Sequence, residues 1–392
     1  MKTRLHHSCS CRGIALVLVM LTVIVLSAIV GSLAISMSTE IRLARNTDYD
    51  VEMEWMGRSG IELARYALAN KCPAQRNIDA LNQFWAGGTS PCSNDVPEIS
   101  LKDVPLGAGK ISVTITDMER KWNINLIAKS AQPQTEILQK ALAEVGLTDA
   151  GQASSIADSI MDWVSQSDQS RFSGAKSDYY LGLNPPYYCK NGQIDDISEL
   201  LLIKDITPEI YWGSNSTNHP VSAYTEHGGG PFDQSQPGHP AANGIFRNND
   251  QPTFPVGLVE LFSAMGGKLN VNTASLKTLQ LIPGIDESTA EHIIQQRAGP
   301  DGVDGNEDDA PFQNIGEING GFQGGGQPGT QPTGPAPGIA TQGMAAYIDV
   351  RSYVFEVKVD AEINGYKRAF YGIVSRAGAG AQQMKCVKFY WE

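Results

Sequence analysis

From Ile14 to Ile35 the chain carries no charge, and the next one comes only at Glu40. As a helix this run spans roughly 33 Å, the thickness of a bilayer's hydrocarbon core. An apolar surface of that length belongs in lipid or against other apolar helices. A secretory signal has a shorter apolar stretch of about 7 to 15 residues that ends in an A-x-A-like site. Here the nearest match, Ser32-Leu33-Ala34, comes late in the run. The sequence predicts a retained anchor, with a cleaved secretory signal as the alternative. Lys2, Arg4 and Arg12 precede the run without any acid, which keeps the short N-terminus cytoplasmic and sends the body across the membrane.

The next residues, "STEIRLARNTDYDVEMEWMGRSGIELARYALAN", contain no proline and have helical apolar spacing at Met53, Met56, Ile61, Ala64, Ala67 and Leu68. The spacing predicts one helix to about Asn70, roughly 80 Å long. A simple anchor does not need that length; a helix packing beside copies of itself in a filament does. Partner contacts are expected to be apolar and to use this face.

A basic leader ending in Gly13, an apolar helix opening at Ile14 and an amphipathic extension together resemble type IV pilins and type II secretion pseudopilins. The resemblance implies that a prepilin peptidase cuts between Gly13 and Ile14 on the cytoplasmic side and keeps the helix, with methylation as the accompanying modification. Most of these proteins carry Glu at the fifth mature position, where this chain has Leu18. That departure is similar to the K-type minor pseudopilins (general secretion pathway protein K), whose missing carboxylate fits a subunit with none above it.

In the body, Ile111, Val113 and Ile115 alternate as in a half-buried strand. Helical patterns follow from about Glu119, including "TEILQKALAEVGL" and "DAGQASSIADSIMDWVSQ", the latter with Thr148 or Asp149 as N-cap. "DDISELLLIKDITPEIYWG" gives two short helices, capped by Asp195 or Asp196 and by Thr207. Helical spacing returns in "VGLVELFSAM" and "NTASLKTLQLIPGIDESTAEHIIQQR". Near the end Tyr353, Phe355, Val357, Val359, Ala361 and Ile363 share one strand face, Asn364-Gly365 offers a hairpin turn, and "VKFYWE" reads as the last strand.

The reading is an α+β chain: a long N-terminal membrane and filament helix, then a pilin-like α/β unit with a large inserted α-helical domain of SAM-like or helix-hairpin-helix-like type. Its divisions are a leader 1–13, the helix 14–70, the first part of the α/β unit 71–118, the inserted domain 119–318, a Gly/Pro-rich loop 319–345 and C-terminal strands 346–392. The centre resembles the K-type pseudopilins in the order of its motifs: Asp162-Trp163, Gly174-Ala175, Tyr179-Tyr180, Pro185-Pro186-Tyr187, Asn191-Gly192, Ser198-Glu199-Leu200, then Asn270-Val271-Asn272-Thr273-Ala274. Residues 213–255 and 319–345 read as local insertions. The resemblance implies a role at the tip of the pseudopilus that drives export of folded proteins across the outer membrane of a Gram-negative cell. It also implies I- and J-type minor pseudopilins, a major pseudopilin and prepilin peptidase as partners, a single pass through the inner membrane and a periplasmic body.

The pair of helices around Pro283-Gly284-Ile285 also resembles a helix-hairpin-helix, which in its DNA-binding form offers backbone N–H groups to a phosphate. A DNA-binding pilus or competence pilin is therefore the alternative. Asp286 and Glu287 follow the hairpin, Lys277, His292 and Arg297 are its candidate cations, and the net charge of −12 becomes −15 without the leader's three basic residues. That charge repels nucleic acid, so the pair reads first as a packing unit. In "GPDGVDGNEDDAPF", Asp301, Asp304, Asn306, Asp308 and Asp309 place hard oxygen donors at short spacing with glycines between them, a pattern that suits Ca2+. The spacing is not that of an EF-hand. The alternative is a solvated acidic turn, and the resemblance favours calcium, because such sites occur in the family. A second set, Asp162, Asp168 and Asp178, is weaker, because Ser165, Ser167 and Lys176 stand where relatives carry acids. Cys72 and Cys92 enclose a short polar loop and could bridge in an oxidising compartment. No catalytic motif is present, and the reading is of a protein that is not an enzyme.

Overall fold

The computed structural model describes residues 12–89, 100–129, 133–213, 254–320, 346–377 and 383–391. Helix α1 runs from Arg12 to Ala69, 58 residues. Its two halves differ in what they meet. Leu16 to Met37 is exposed and apolar on every side, and this is the helix long and apolar enough to cross a membrane. Further along, Met53, Met56, Ile61, Ala64, Ala67 and Leu68 are buried against a β-sheet.

That sheet has five antiparallel strands in the order β1-β2-β7-β8-β9. The first two are β1 (Val104–Leu106) and β2 (Gly109–Asp117). The last three are β7 (Val354–Ile363), β8 (Tyr366–Arg376) and β9 (Met384–Trp391). The alternation predicted from sequence sets the register: Ile111, Val113 and Ile115 pair with Ala361, Val359 and Val357, and all six turn to α1. Asn364 and Gly365 have φ of +50° and +83°, the mirror-image turn that a two-residue hairpin requires. Helix and sheet approach closely enough that a Cβ on Gly60 would lie 2.5 Å from Val359 Cγ1, and one on Gly57 2.5 Å from the Phe370 ring. Any larger residue would push α1 off the sheet.

In this register Asp117 at the end of β2 lies opposite Phe355 in β7. The residues between them leave the sheet and return to it, forming a second unit with its own core. This unit contains β3 (Trp122–Asn123), α2 (Ile124–Lys129), α3 (Pro133–Val145), α4 (Ala150–Val164), α5 (Ser177–Tyr180) and α6 (Pro208–Trp212). Next come α7 (Leu258–Leu261), β4 (Phe262–Ser263), β5 (Leu269–Asn270), α8 (Leu276–Gln280), α9 (Glu287–Arg297), α10 (Gly316–Gly320) and β6 (Ile348–Asp349). Its buried apolar cluster is separate from the one under α1. The predicted caps are at work: Asp149 accepts the Gly151 N–H, Thr207 that of Ile210, and Asp196 closes a capping box with Glu199 over a 3-10 turn, Ile197–Leu202.

Three expectations need correcting. The helical pattern expected from Glu119 is delayed to Ile124, and "VGLVELFSAM" is helical only to Leu261. Trp122-Asn123 and Phe262-Ser263 instead form a parallel bridge, as do Leu269-Asn270 and Ile348-Asp349. Short buried apolar runs carry no periodicity that separates strand from helix. The α1 face expected to meet partner subunits is occupied by the chain's own sheet. Below the membrane-length half, the apolar residues left exposed on α1 include Val51, Trp55 and Tyr66.

Candidate functional site

Gly13 and Ile14 lie in the first turn of α1, and Leu18 is exposed on its surface. Cys72 is in a disulfide, while Cys92 lies outside the described residues. Cys189 and Cys386 are free thiols.

Where the inserted unit joins the sheet, a buried polar cluster replaces apolar packing. Asp79 is fully buried. Lys71, just past α1, donates to its Oδ1, and Arg376, at the end of β8, donates to Oδ2 at 2.7 Å. The Ser352 N–H reaches the same oxygen at 3.0 Å, and Asn270 Nδ2 donates to the Asp79 carbonyl at 3.0 Å. Asp117 Oδ2 accepts from Ser352 Oγ (2.6 Å), Thr273 Oγ1 (2.5 Å) and Asn270 Nδ2 (3.2 Å). Glu119 accepts the N–H groups of Gly267 (2.7 Å) and Tyr353 (3.0 Å). One network thus ties the end of α1, the sheet and both returning strands of the inserted unit together. Burial pushes Asp117 up to about 6 against its hydroxyl donors, and burial plus the Asp117 charge pushes Glu119 up to about 8. Burial, with Arg376 adding to it against the attraction of Asp79, lowers Lys71 to about 8. Sequence reading missed this cluster, although parity gives a signal. Asp117 continues the inward phase of Ile111, Val113 and Ile115, and Arg376 that of Phe370 and Val374; a charge in a core phase needs a buried partner.

The acidic loop is largely closed on itself. Asp304 gives both carboxylate oxygens to the buried Arg297 guanidinium, at 3.0 and 2.7 Å. Asp301 accepts from the Val303 N–H and from Asn306 Nδ2, and Asn306 Oδ1 from the Asp308 N–H. Asp309 Oδ2 accepts the Gly305 N–H at 2.8 Å, while its Oδ1 is buried without a partner. Among the described residues no group of three or more His, Cys, Asp or Glu side chains is placed to hold a metal.

The hairpin between α8 and α9 is a packing unit. Gly284 turns the chain at φ +83° and Ile285 is buried. Asp286 caps α9 by accepting the Thr289 N–H. Two of the three candidate cations are committed elsewhere: Lys277 to Glu144 at 2.8 Å, and Arg297 to Asp304 and the carbonyls of Val271 and Ala274. A phosphate at this hairpin would meet the Asp286 carboxylate.

A family model described as type II secretion system, protein K matches residues 120–213, from the start of the inserted unit through α6. Residues 120–213 are thus similar to protein K of type II secretion systems. Over 211 residues it is 26% identical to a putative type II secretion system protein K of Escherichia coli, a stretch covering 51% of this chain and 59% of that relative. It is 24% identical over 208 residues to type II secretion system protein K of Klebsiella pneumoniae, covering 51% and 60%. The similarity to these curated proteins therefore spans about three-fifths of their length. The fold is similar to a chain in the crystal structure of the GspK-GspI-GspJ complex from the enterotoxigenic Escherichia coli type 2 secretion system. The TM-score is 0.57 at 16% identity, covering 89% of this chain and 99% of that one. The α+β fold is thus shared with a chain of that complex.

Proposed function

We propose that this chain is a minor pseudopilin of K type, which caps or initiates the tip of the pseudopilus in a type II secretion machine. One observation carries the reading. A helix with a bare apolar half is docked by its other half on a five-stranded sheet, and the protein K domain is inserted between β2 and β7 of that sheet. The bare half suits the inner membrane and the bundle of neighbouring pseudopilin helices. The inserted unit widens the head beyond what a further subunit above could cover. I- and J-type minor pseudopilins are the proposed neighbours, as in the complex containing the fold relative, with the major pseudopilin below them. Prepilin peptidase cuts between Gly13 and Ile14, and the new terminus is methylated. The body is periplasmic, and the role needs no catalytic step. The committed cations of the hairpin disfavour DNA binding.

N-terminal sequencing tests this reading. The mature chain is expected to begin at Ile14 in cells with prepilin peptidase and to stay uncut without it; a start well beyond residue 30 would make it an ordinary secreted protein.

Calcium at Asp301, Asp304, Asn306, Asp308 and Asp309 is a further part of the proposal. The buried, unpartnered Asp309 Oδ1 supports it, and the use of Asp304 by Arg297 opposes it. A bound ion would stiffen the loop and do no chemistry. Millimolar Ca2+ is expected to raise the melting temperature of the wild type but not that of Asp309→Asn; equal responses would remove calcium from this loop.

A further inference from the structure

Lys176 is only 6% exposed. A buried ammonium is tolerated when its three donors all find acceptors, and here each one does. The carbonyls of Asp162 and Ser165 lie at 2.6 and 2.8 Å, and Asn191 Oδ1 at 2.7 Å. Asp162 and Ser165 form the last turn and C-cap of α4, where carbonyls lack intrahelical donors and carry the negative end of the helix dipole. Asn191 reaches the same point from the loop after α5, with φ of +49°. The N–H of the next residue, Gly192, bonds the Trp163 carbonyl at 3.2 Å and holds that loop against the helix end. The Asp162 carboxylate stands close by: burial raises its pKa, and the Lys176 charge works against that rise.

The same helix end shapes the segment leading to Lys176. Asp162 Oδ2 accepts the Arg171 N–H at 2.9 Å, and Asp158 Oδ2 that of Ser173 at 3.2 Å. Gly174 passes so near that a Cβ there would lie 2.0 Å from Asp162 Oδ2. Two main-chain carbonyls and an amide oxygen are hard oxygen donors of the kind that bind hard metal cations. Here they close on a side-chain amine, which is tethered and needs no free ion to fill the site.

We propose that Lys176 is a built-in cation: its ammonium fills an oxygen cage at the end of α4 that accepts a hard divalent cation once the amine is removed, and its presence lets residues 165–192 hold their shape without metal. The proposal stands on these contacts and is independent of the assembly role.

Hydrogen–deuterium exchange of the peptide covering residues 165–176, measured on the full chain in detergent, reads the segment directly. The wild type is expected to exchange equally slowly in EDTA and in millimolar Ca2+. Lys176→Met keeps the stem and loses the charge, and is expected to exchange at least about tenfold faster in both solutions. Lys176→Ala opens the cage. It is expected to be as fast as the Met variant in EDTA and to return most of the way to the wild-type rate in Ca2+. The proposal is overturned if chelation loosens the wild-type segment, if the Met variant stays protected, or if Ca2+ leaves the Ala variant unchanged. Should the variants not fold, the wild-type comparison still decides, because a segment that loosens in EDTA is held by a metal and not by Lys176.

Discussion

Arg376→Met is expected to destabilise the protein by about 3–5 kcal/mol, the usual loss when one partner of a buried ion pair is removed. The Arg376 side chain is 2% exposed and holds Asp79, which is fully buried. It also donates to the carbonyls of Ser352 and Leu68, and its guanidinium lies 4.8 Å from the centre of the Phe355 ring. Methionine fills much of the volume but leaves Asp79 with Lys71 as its cation. The loss is expected to reach beyond the sheet, because Asp79 also carries the contact to Asn270 of the inserted unit. Chemical denaturation of the full chain in detergent measures it. Asp79→Asn combined with Arg376→Met is expected to be less damaging than the two single losses added together, since the pair leaves together. A single-variant loss below about 1 kcal/mol would mean that water reaches this site and screens it.

Stability is also expected to fall as pH rises from about 5 to about 8. Glu119 has its folded pKa raised from 4.5 to about 8, and Asp117 from 3.8 to about 6. Between the unfolded and folded values the native state holds protons that the unfolded chain has released. Raising the pH through that window therefore favours unfolding. For each group the stabilisation is complete below its unfolded value and is lost by its folded value. Lys71 acts in the opposite sense at higher pH. Its folded value of about 8 lies below the unfolded 10.5, so between those limits the unfolded chain binds the extra proton and stability recovers. The combined profile has a minimum near pH 8, where the folded values of Glu119 and Lys71 meet. While one such carboxyl titrates, the slope approaches about 1 kcal/mol per pH unit. Glu119→Gln keeps the shape and removes the charge, and is expected to flatten most of the fall between pH 6 and 8. Denaturation midpoints across pH 5 to 9 provide the measurement. A wild-type profile as flat as that of the variant would place Glu119 in contact with solvent.

Much of the architecture was legible in the sequence because it follows from periodicity. The charge-free run from Ile14 required a long apolar helix. The two-residue alternation in β2 and β7 fixed which residues face inward, and Asn364-Gly365 fixed the turn that sets their partner strand. The caps at Asp149, Asp196 and Thr207 were readable because capping depends on a few consecutive residues. The ordered Asp-Trp, Tyr-Tyr and Asn-x-Asn-Thr-Ala motifs located the inserted unit and its resemblance to protein K.

What the sequence could not specify is which partner each face and each charge takes, because those partners are distant in the chain. The stripe of Met53, Met56, Ile61 and Ala64 is equally suited to another subunit or to the chain's own sheet; only the packing of Gly57 and Gly60 onto Phe370 and Val359 assigns it to the sheet. Asp79 meets Arg376 across 297 residues, and Asp117 meets Ser352 across 235. Local pattern is short-ranged and so fixes elements and their buried faces. Which buried charges neutralise one another depends on where the ends of the insertion return to the sheet, and that is a property of the folded chain alone.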